Sequence, residues 1–202
     1  MRVLIVVHPV PKDIKKIISL KDDDYIIAVD QAVLSLYKQR IPINLAIGDF
    51  DSLNHHGILN TLNVLKLDPI KDVTDSYQAL IEAQKLNPDE YIMVGGIGGN
   101  RVEHFMAHIL LFNKFPKLKI INDKSEIFML ENQDYIVDFK GYVSIFAYDN
   151  ALITLKGFKY PLETYELKRY DPLGISNEII NDSGHICVKE GKVLVVLSSR
   201  DR

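Results

Sequence analysis

The sequence predicts an α/β domain over 1–124, built on a mainly parallel, Rossmann-like sheet, followed by an all-β domain over 125–202. Three observations lead there. Up to about residue 122, apolar runs of strand length alternate with stretches of helical periodicity. After about residue 125 the helical spacing stops, and short alternating runs take over. Turn-forming residues then punctuate those runs at short, regular intervals.

In the first half the strand-length runs are 3–7, 25–29, 45–47, 64–67, 91–94 and 118–121. Helical periodicity fills 31–39, 75–86 and 102–115. Strands alternating with helices imply βαβ units and a parallel sheet. Right-handed crossovers would then gather the loops at the strands' C-terminal ends along one crevice. In the second half the runs are 127–130, 135–138, 142–148, 151–156, 185–189 and 193–198. Between them stand Glu131-Asn132-Gln133-Asp134, Lys140-Gly141, Asp149-Asn150, Asp182-Ser183-Gly184 and Glu190-Gly191-Lys192. This pattern predicts an antiparallel sandwich or barrel.

Composition narrows the class. The chain has 202 residues, 47% apolar and 25% charged, which is ordinary for a globular protein with a sizeable core. The formal net charge of -3 gives no global field for nucleic acid or an acidic membrane, so neither is expected as a partner. The single cysteine, Cys187, has no intramolecular disulfide partner and suits a reducing, cytoplasmic setting. The apolar run 3–7 is too short for a signal peptide or a membrane span.

Two acidic clusters follow strand-like runs: Gly48-Asp49-Phe50-Asp51-Ser52 and Lys71-Asp72-Val73-Thr74-Asp75. Packing gives no reason to gather like charges, whereas Mg²⁺ with its attendant phosphates would resolve their repulsion. In extended backbone Asp49 and Asp51 would face one way while Phe50 anchors the other. The competing reading is a solvated acidic turn. In the second cluster Asp72 is a candidate N-cap with Asp75 at N3, a capping arrangement that needs no function. Lys71 beside it adds a point charge suited to phosphate.

A third segment, Gly95-Gly96-Ile97-Gly98-Gly99-Asn100-Arg101-Val102-Glu103-His104, leads from a strand into a helix. Glycines let backbone N–H groups approach phosphate, the helix N-terminus favours anions, and Arg101 offers a planar fork. A tight structural turn is the alternative. The segment is not a Walker loop, and it does not stand in the first βα unit, where a dinucleotide fingerprint is expected. His104 and His108 are one helical turn apart, but no third soft ligand lies nearby in sequence. His104 is expected to face the crevice, with His108 either joining it or satisfied in the core.

Taken in order, these segments resemble the thiamin pyrophosphokinase family. That family's pattern includes Gly-Asp-Phe-Asp-Ser, Lys-Asp-x-Thr-Asp, a glycine-rich Gly-x-Arg-x-Asp-His, Gly-x-x-Tyr-Pro-Leu and Ser-Asn-Glu. Here they correspond to Gly48 to Ser52, Lys71 to Asp75, the stretch ending Arg101-Val102-Glu103-His104, Gly157 to Leu162 and Ser176-Asn177-Glu178. The resemblance implies an α/β domain that binds ATP and Mg²⁺, a β-sandwich that helps bind thiamine, and a homodimer with active sites at its interface. It implies that thiamine and ATP give thiamine diphosphate and AMP. By motif, Asp49, Asp51, Asp72 and Asp75 would hold Mg²⁺ or orient the triphosphate and carry the catalysis. Asp30, Gly98, Glu103 and His104 would lie on the nucleotide side. Lys71 and Arg101 would counter phosphate charge, and Ser52 and Thr74 would donate hydrogen bonds to phosphate oxygens. Ser176 and Asn177 would lie near the thiamine pyrimidine.

The chain departs from the pattern at several positions. Asp30-Gln31-Ala32 replaces the usual Asp-Gly-Gly, Glu103 replaces aspartate, and His108 stands where asparagine is expected. There is no tryptophan to stack on thiamine, which leaves Tyr160, Tyr165 and Tyr170 as candidates. Two other readings stay open here: the same fold with another substrate or no catalysis, and a nucleotide-sugar transferase using Asp49-x-Asp51. Release of AMP distinguishes the pyrophosphokinase from the transferase.

Overall fold

The structure, a computed structural model, describes residues 1–51, 53, 56–68 and 72–200, with His56 in its backbone only. Ser52 and Lys71, both expected at the site, lie outside the described residues. The chain divides into two compact units, 1–123 and 124–202.

In the first unit β1 (Arg2–Val7), β2 (Tyr25–Val29), α1 (Ala32–Lys38), β3 (Leu45–Gly48), β4 (Val64–Lys66), α2 (Asp75–Lys85), β5 (Glu90–Gly95), α3 (Val102–Leu111) and β6 (Leu118–Ile121) follow in order. The strands lie in the order β4-β3-β2-β1-β5-β6, and each neighbouring pair is parallel. Both faces of this sheet are buried, as a parallel sheet requires. Leu4, Val6, Ile26, Ala28, Ile92 and Val94 pack with Ala32, Val33 and Leu36 of α1 in one core. The alternating residues Val3, Ile5, Ile27, Ile47 and Met93 are buried as well, on the opposite side of the pleat. Helix α2 packs against β1, β2 and β3, burying Ala79, Leu80 and Ala83. Burial of a side chain such as Leu80 is worth about 2 kcal/mol.

Chain order runs outward from β1 to β4 and then returns to place β5 on β1's other side. The gap beyond β1 and β5 is therefore a topological switch point, where open α/β sheets bind ligands. Helix α3 ends earlier than its apolar periodicity predicts. Residues 112–114 turn instead, while Phe112 and Phe115 are driven into the core ahead of Pro116. Proline disfavours helical backbone in the residue before it, which sets the limit.

The second unit contains β7 (Ser125–Glu131), β8 (Asp134–Val137), β9 (Tyr142–Ala147), β10 (Ala151–Lys156), β11 (Leu162–Leu167), β12 (Gly184–Glu190) and β13 (Lys192–Ser198). Strand β13 pairs antiparallel with β7 and β9. A separate antiparallel group runs β11-β10-β12-β8. Residues from both groups meet in one core, including Phe128, Ile145 and Val195 from the first and Ile153, Leu155 and Ile186 from the second. Strand β11 was not among the expected strands. Its Leu-Glu-Thr-Tyr-Glu-Leu sequence lies at a sheet edge, mostly exposed, and Thr164 takes a φ of 46° beside a register shift in β10. Edge exposure and a bulge erase the alternation that marks a half-buried strand.

Candidate active site

A cavity of about 750 Å³ opens at the switch point of the first unit. It lies beyond the C-terminal ends of β1, β2, β3 and β5, against the N-terminal ends of α2 and α3. After β1 it is lined by His8 and Pro9, after β2 by Asp30 and Gln31, and after β3 by Asp49. Residues 73–76 line it from α2, and 98–101 with His104 and His108 from α3.

The β3 loop is a turn rather than the extended segment its alternation predicts. Phe50 takes a φ of 59° and is 2% exposed, and the Asp51 amide donates to Asp49 Oδ1 at 3.1 Å. The aromatic ring anchors the loop as expected. The left-handed residue, however, abolishes the same-side geometry expected for Asp49 and Asp51. Asp49 lines the cavity; Asp51 is exposed and does not. Gly48 packs closely on Asp30: a Cβ there would sit 3.1 Å from Asp30 Cα, tighter than ordinary contact. Asp30 itself turns the chain with a φ of 50°. Gln31 then has φ −58° and ψ −18°, ordinary helical values. That explains how this chain does without glycine at position 31.

Helix α2 is capped by Thr74, not Asp72. The Thr74 backbone is extended, with φ −76° and ψ 154°, and its Oγ1 accepts a hydrogen bond from the Tyr77 amide at 3.2 Å. Asp75 is thus the first helical residue, where its charge complements the helix N-terminus. Thr74 and Asp75 line the cavity; Asp72 is exposed and outside its wall. A threonine hydroxyl immediately before the first helical residue reaches the amide three residues on and outcompetes the aspartate further upstream.

The glycine segment divides by role. A Cβ on Gly95 would lie 2.4 Å from the Val7 carbonyl oxygen, and one on Gly96 would lie 2.7 Å from Val7 Cγ2 and 2.8 Å from the His108 ring. These two glycines serve the approach of β5 to β1 and α3. Gly98 has nothing within 4 Å of its would-be Cβ and lines the cavity. Arg101 precedes α3, is exposed, and donates from Nε to Glu103 Oε1 at 2.8 Å. Glu103 is held below the usual carboxylate range by its own backbone N–H and then by Arg101. It pairs with Arg101 and is not part of the cavity wall.

His108 is 2% exposed and lies in the wall rather than projecting as a ligand of a zinc site. Its Nδ1 lies 3.1 Å from the Gly96 carbonyl oxygen and its Nε2 lies 3.2 Å from Ser76 Oγ. Burial pushes its pKa down, outweighing the Gly96 bond, which pulls it up. Ser76 Oγ lies in turn 3.2 Å from Thr74 Oγ1. Sequence reasoning missed His8, Pro9 and Ser76. The rule that loops at strand C-termini share a crevice pointed to residue 8, but only the sheet order puts β1 at the switch point.

Among the described residues no three His, Cys, Asp or Glu side chains converge as metal ligands. The cavity lining nevertheless includes three carboxylates, Asp30, Asp49 and Asp75, together with Arg101, His8 and His104. Mg²⁺ takes one or two carboxylates and completes its shell with waters and phosphate oxygens. Carboxylates in the lining fit such an ion without a closed cage.

In the second unit the two late motifs come together. The Lys159 amide donates to the Glu178 carbonyl at 2.8 Å and the Ile180 amide to the Gly157 carbonyl at 3.1 Å. Asn177 is 2% exposed; its Oδ1 accepts from the amides of Tyr160 and Glu178, and its Nδ2 donates to the Tyr160 carbonyl. Its side chain therefore clamps the backbone at Tyr160. Ser176 takes a φ of 56° and its amide donates to Ser144 Oγ. Of the tyrosines weighed for stacking, Tyr165 donates to Asp171 at 2.7 Å, while Tyr160 and Tyr170 are exposed.

Known proteins match this arrangement along its whole length. Residues 18–122 match the model of the thiamin pyrophosphokinase catalytic domain, and 125–193 that of the thiamin pyrophosphokinase vitamin B1 binding domain. A curated thiamine pyrophosphokinase of Bacillus subtilis is 32% identical, with 87% of each chain covered. A crystal structure of the Bacillus subtilis enzyme superposes with a TM-score of 0.85 at 27% identity, covering 100% of both chains. Thiamin pyrophosphokinase from Geobacillus thermodenitrificans superposes at 0.87, also at 27% identity, covering 100% of this chain and 99% of that one. The chain belongs to the thiamin pyrophosphokinase family.

Proposed function

We infer that this enzyme transfers the pyrophosphoryl group of ATP to the hydroxyl of thiamine, giving thiamine diphosphate and AMP, with Mg²⁺ as cofactor. The carrying observation is the switch-point cavity, whose lining brings carboxylates and Arg101 together with the N-terminal ends of two helices. Such transfer depends mainly on positioning and charge stabilisation. Asp49 and Asp75, with Asp30 beside them, would hold Mg²⁺, which supplies charge neutralisation across the polyphosphate when bound. Arg101 and the amides from Gly98 onward would take phosphate oxygens. The thiamine oxygen attacks the β-phosphorus, the bond to the α-phosphate oxygen breaks, AMP leaves, and a cavity carboxylate takes the hydroxyl proton.

We assign the nucleotide to the α/β domain, Rossmann-like in its strand order, and thiamine to the following domain, a β-sandwich in that one core joins two strand groups. The clamp of Asn177 on Tyr160 supports a thiamine-side role for 157–162 and Ser176 through positioning. Val102, Met106 and Leu110 form an exposed apolar stripe along α3 beside the cavity, which supports a homodimer with its sites near that interface. No helix among the described residues is long and apolar enough to cross a membrane. A cytoplasmic location is proposed from the lone Cys187.

The test compares four variants. Asp49→Asn and Asp75→Asn should lower kcat by about 100-fold or more with the fold intact, since they remove cavity charge. Asp51→Asn and Asp72→Asn should cost less. Near-normal turnover in Asp49→Asn would remove the cavity from the mechanism.

A further inference from the structure

The hydrogen bonds around His108 have a direction that their geometry fixes once the ring is neutral. Nδ1 faces the Gly96 carbonyl oxygen, which only accepts, so Nδ1 carries the proton. In a neutral ring Nε2 then accepts, so the Ser76 hydroxyl donates to it. With its proton spent, Ser76 Oγ accepts from the Thr74 hydroxyl. Thr74 Oγ1 meanwhile accepts from the Tyr77 amide as the cap of α2. Among these partners every proton is committed along the chain from Tyr77 to Gly96. Ser76 is 6% exposed, and the three side chains share the cavity wall with Asp75.

We propose that His108, as its Nδ1–H tautomer, is a positioning residue that turns the Ser76 and Thr74 hydroxyls so that they present only oxygen lone pairs to the cavity. That corner then suits a hydrated cation and not phosphate oxygens, which need donors. This assigns Thr74 a part other than the donation to phosphate expected from its motif. The proposal rests on the Mg²⁺–nucleotide reading of the cavity. It also gives a defined role to the histidine at a position where asparagine is expected, because the ring places one donor and one acceptor at opposite ends of a buried planar group.

Two measurements test it. Side-chain ¹⁵N NMR of the ligand-free protein at neutral pH should show His108 as the Nδ1–H tautomer. An Nε2–H tautomer or an imidazolium would overturn the proposal. The second measurement is the Mg²⁺ concentration that half-saturates turnover, at saturating ATP and thiamine. His108→Leu and Ser76→Ala should each raise it by about ten-fold, the usual effect of losing support behind a metal's ligands, with the thiamine KM unchanged. The double variant should be no worse than either single one, because the two act as a unit. His108→Gln, which keeps a donor and an acceptor, should recover most of the loss. Additive losses, or an unchanged Mg²⁺ requirement in a folded His108→Leu protein, would overturn the proposal. Failure of the wild type to release AMP would instead overturn the reading of the reaction, while the tautomer measurement would still decide the hydroxyl polarity.

Discussion

Replacing Asn177 by alanine should unfold the second unit's late-motif junction before it touches any chemistry. The side chain is 2% exposed and makes three hydrogen bonds to backbone: from the Tyr160 amide at 3.0 Å, from the Glu178 amide at 2.9 Å, and to the Tyr160 carbonyl at 2.8 Å. At about 1 kcal/mol net for each, the loss is about 3 kcal/mol, more if the exposed partners stay dry. For a chain of this length, each kcal/mol lowers Tm by about 2–4 °C, so a fall of about 6–12 °C is expected. Asn177→Asp sets a buried carboxylate oxygen against the Tyr160 carbonyl, so it should cost at least as much as alanine at neutral pH. Differential scanning calorimetry reads the stability. Steady-state kinetics should show a raised thiamine KM with the ATP KM unchanged, since the clamp holds the 157–162 segment. An alanine variant melting within about 1 °C of wild type would refute the clamp, given that magnitude.

Other outcomes follow from the same geometry. Gly96→Ala forces φ +72° on an L residue and drives its Cβ to 2.7 Å from Val7 Cγ2, so it should cost about 2 kcal/mol or more, while Gly98→Ala meets nothing within 4 Å and should cost about 1 kcal/mol of backbone strain; equal urea midpoints would contradict this. Asp24 is pushed up by burial, but its bonds from Arg2 (2.7 and 2.8 Å) and the Lys21 amide outweigh this and hold its carboxyl below the usual range. A lowered folded pKa gives stability that is present above the unfolded value, about 4, and lost as pH falls through the folded one. Asp24→Asn should therefore cost about 2 kcal/mol at neutral pH and progressively less in acid, and a pH-independent difference would count against the pair. Met106→Glu, in the exposed stripe of α3 proposed as the homodimer interface, should shift sedimentation toward monomer; an unchanged profile would count against that proposal.

Periodicity read the buried parts of the fold well. Runs 25–29 and 118–121 coincide with β2 and β6, because strands buried on both faces read as unbroken apolar runs. Strand β11 escaped, since an exposed edge with a bulge leaves no such run. At the site, Asp30, Asp49, Thr74, Asp75, Gly98, Arg101 and His104 were legible from motifs and do line one cavity. Local conformation was less legible. The left-handed φ at Phe50, which separates Asp49 from Asp51, has no signal in a Gly-Asp-Phe-Asp string. The choice of Thr74 over Asp72 as cap depends on where the helix can start against the sheet, a tertiary matter. His108 and Ser76 meet across two helices 32 positions apart, and no local pattern pairs them.

The most direct test of the account is one assay of the purified protein with ATP, Mg²⁺ and thiamine, following AMP, ADP and thiamine diphosphate together. The account predicts AMP and thiamine diphosphate in equal amounts, no ADP, and no product after EDTA. ADP as the nucleotide product, or turnover that survives EDTA, would contradict it.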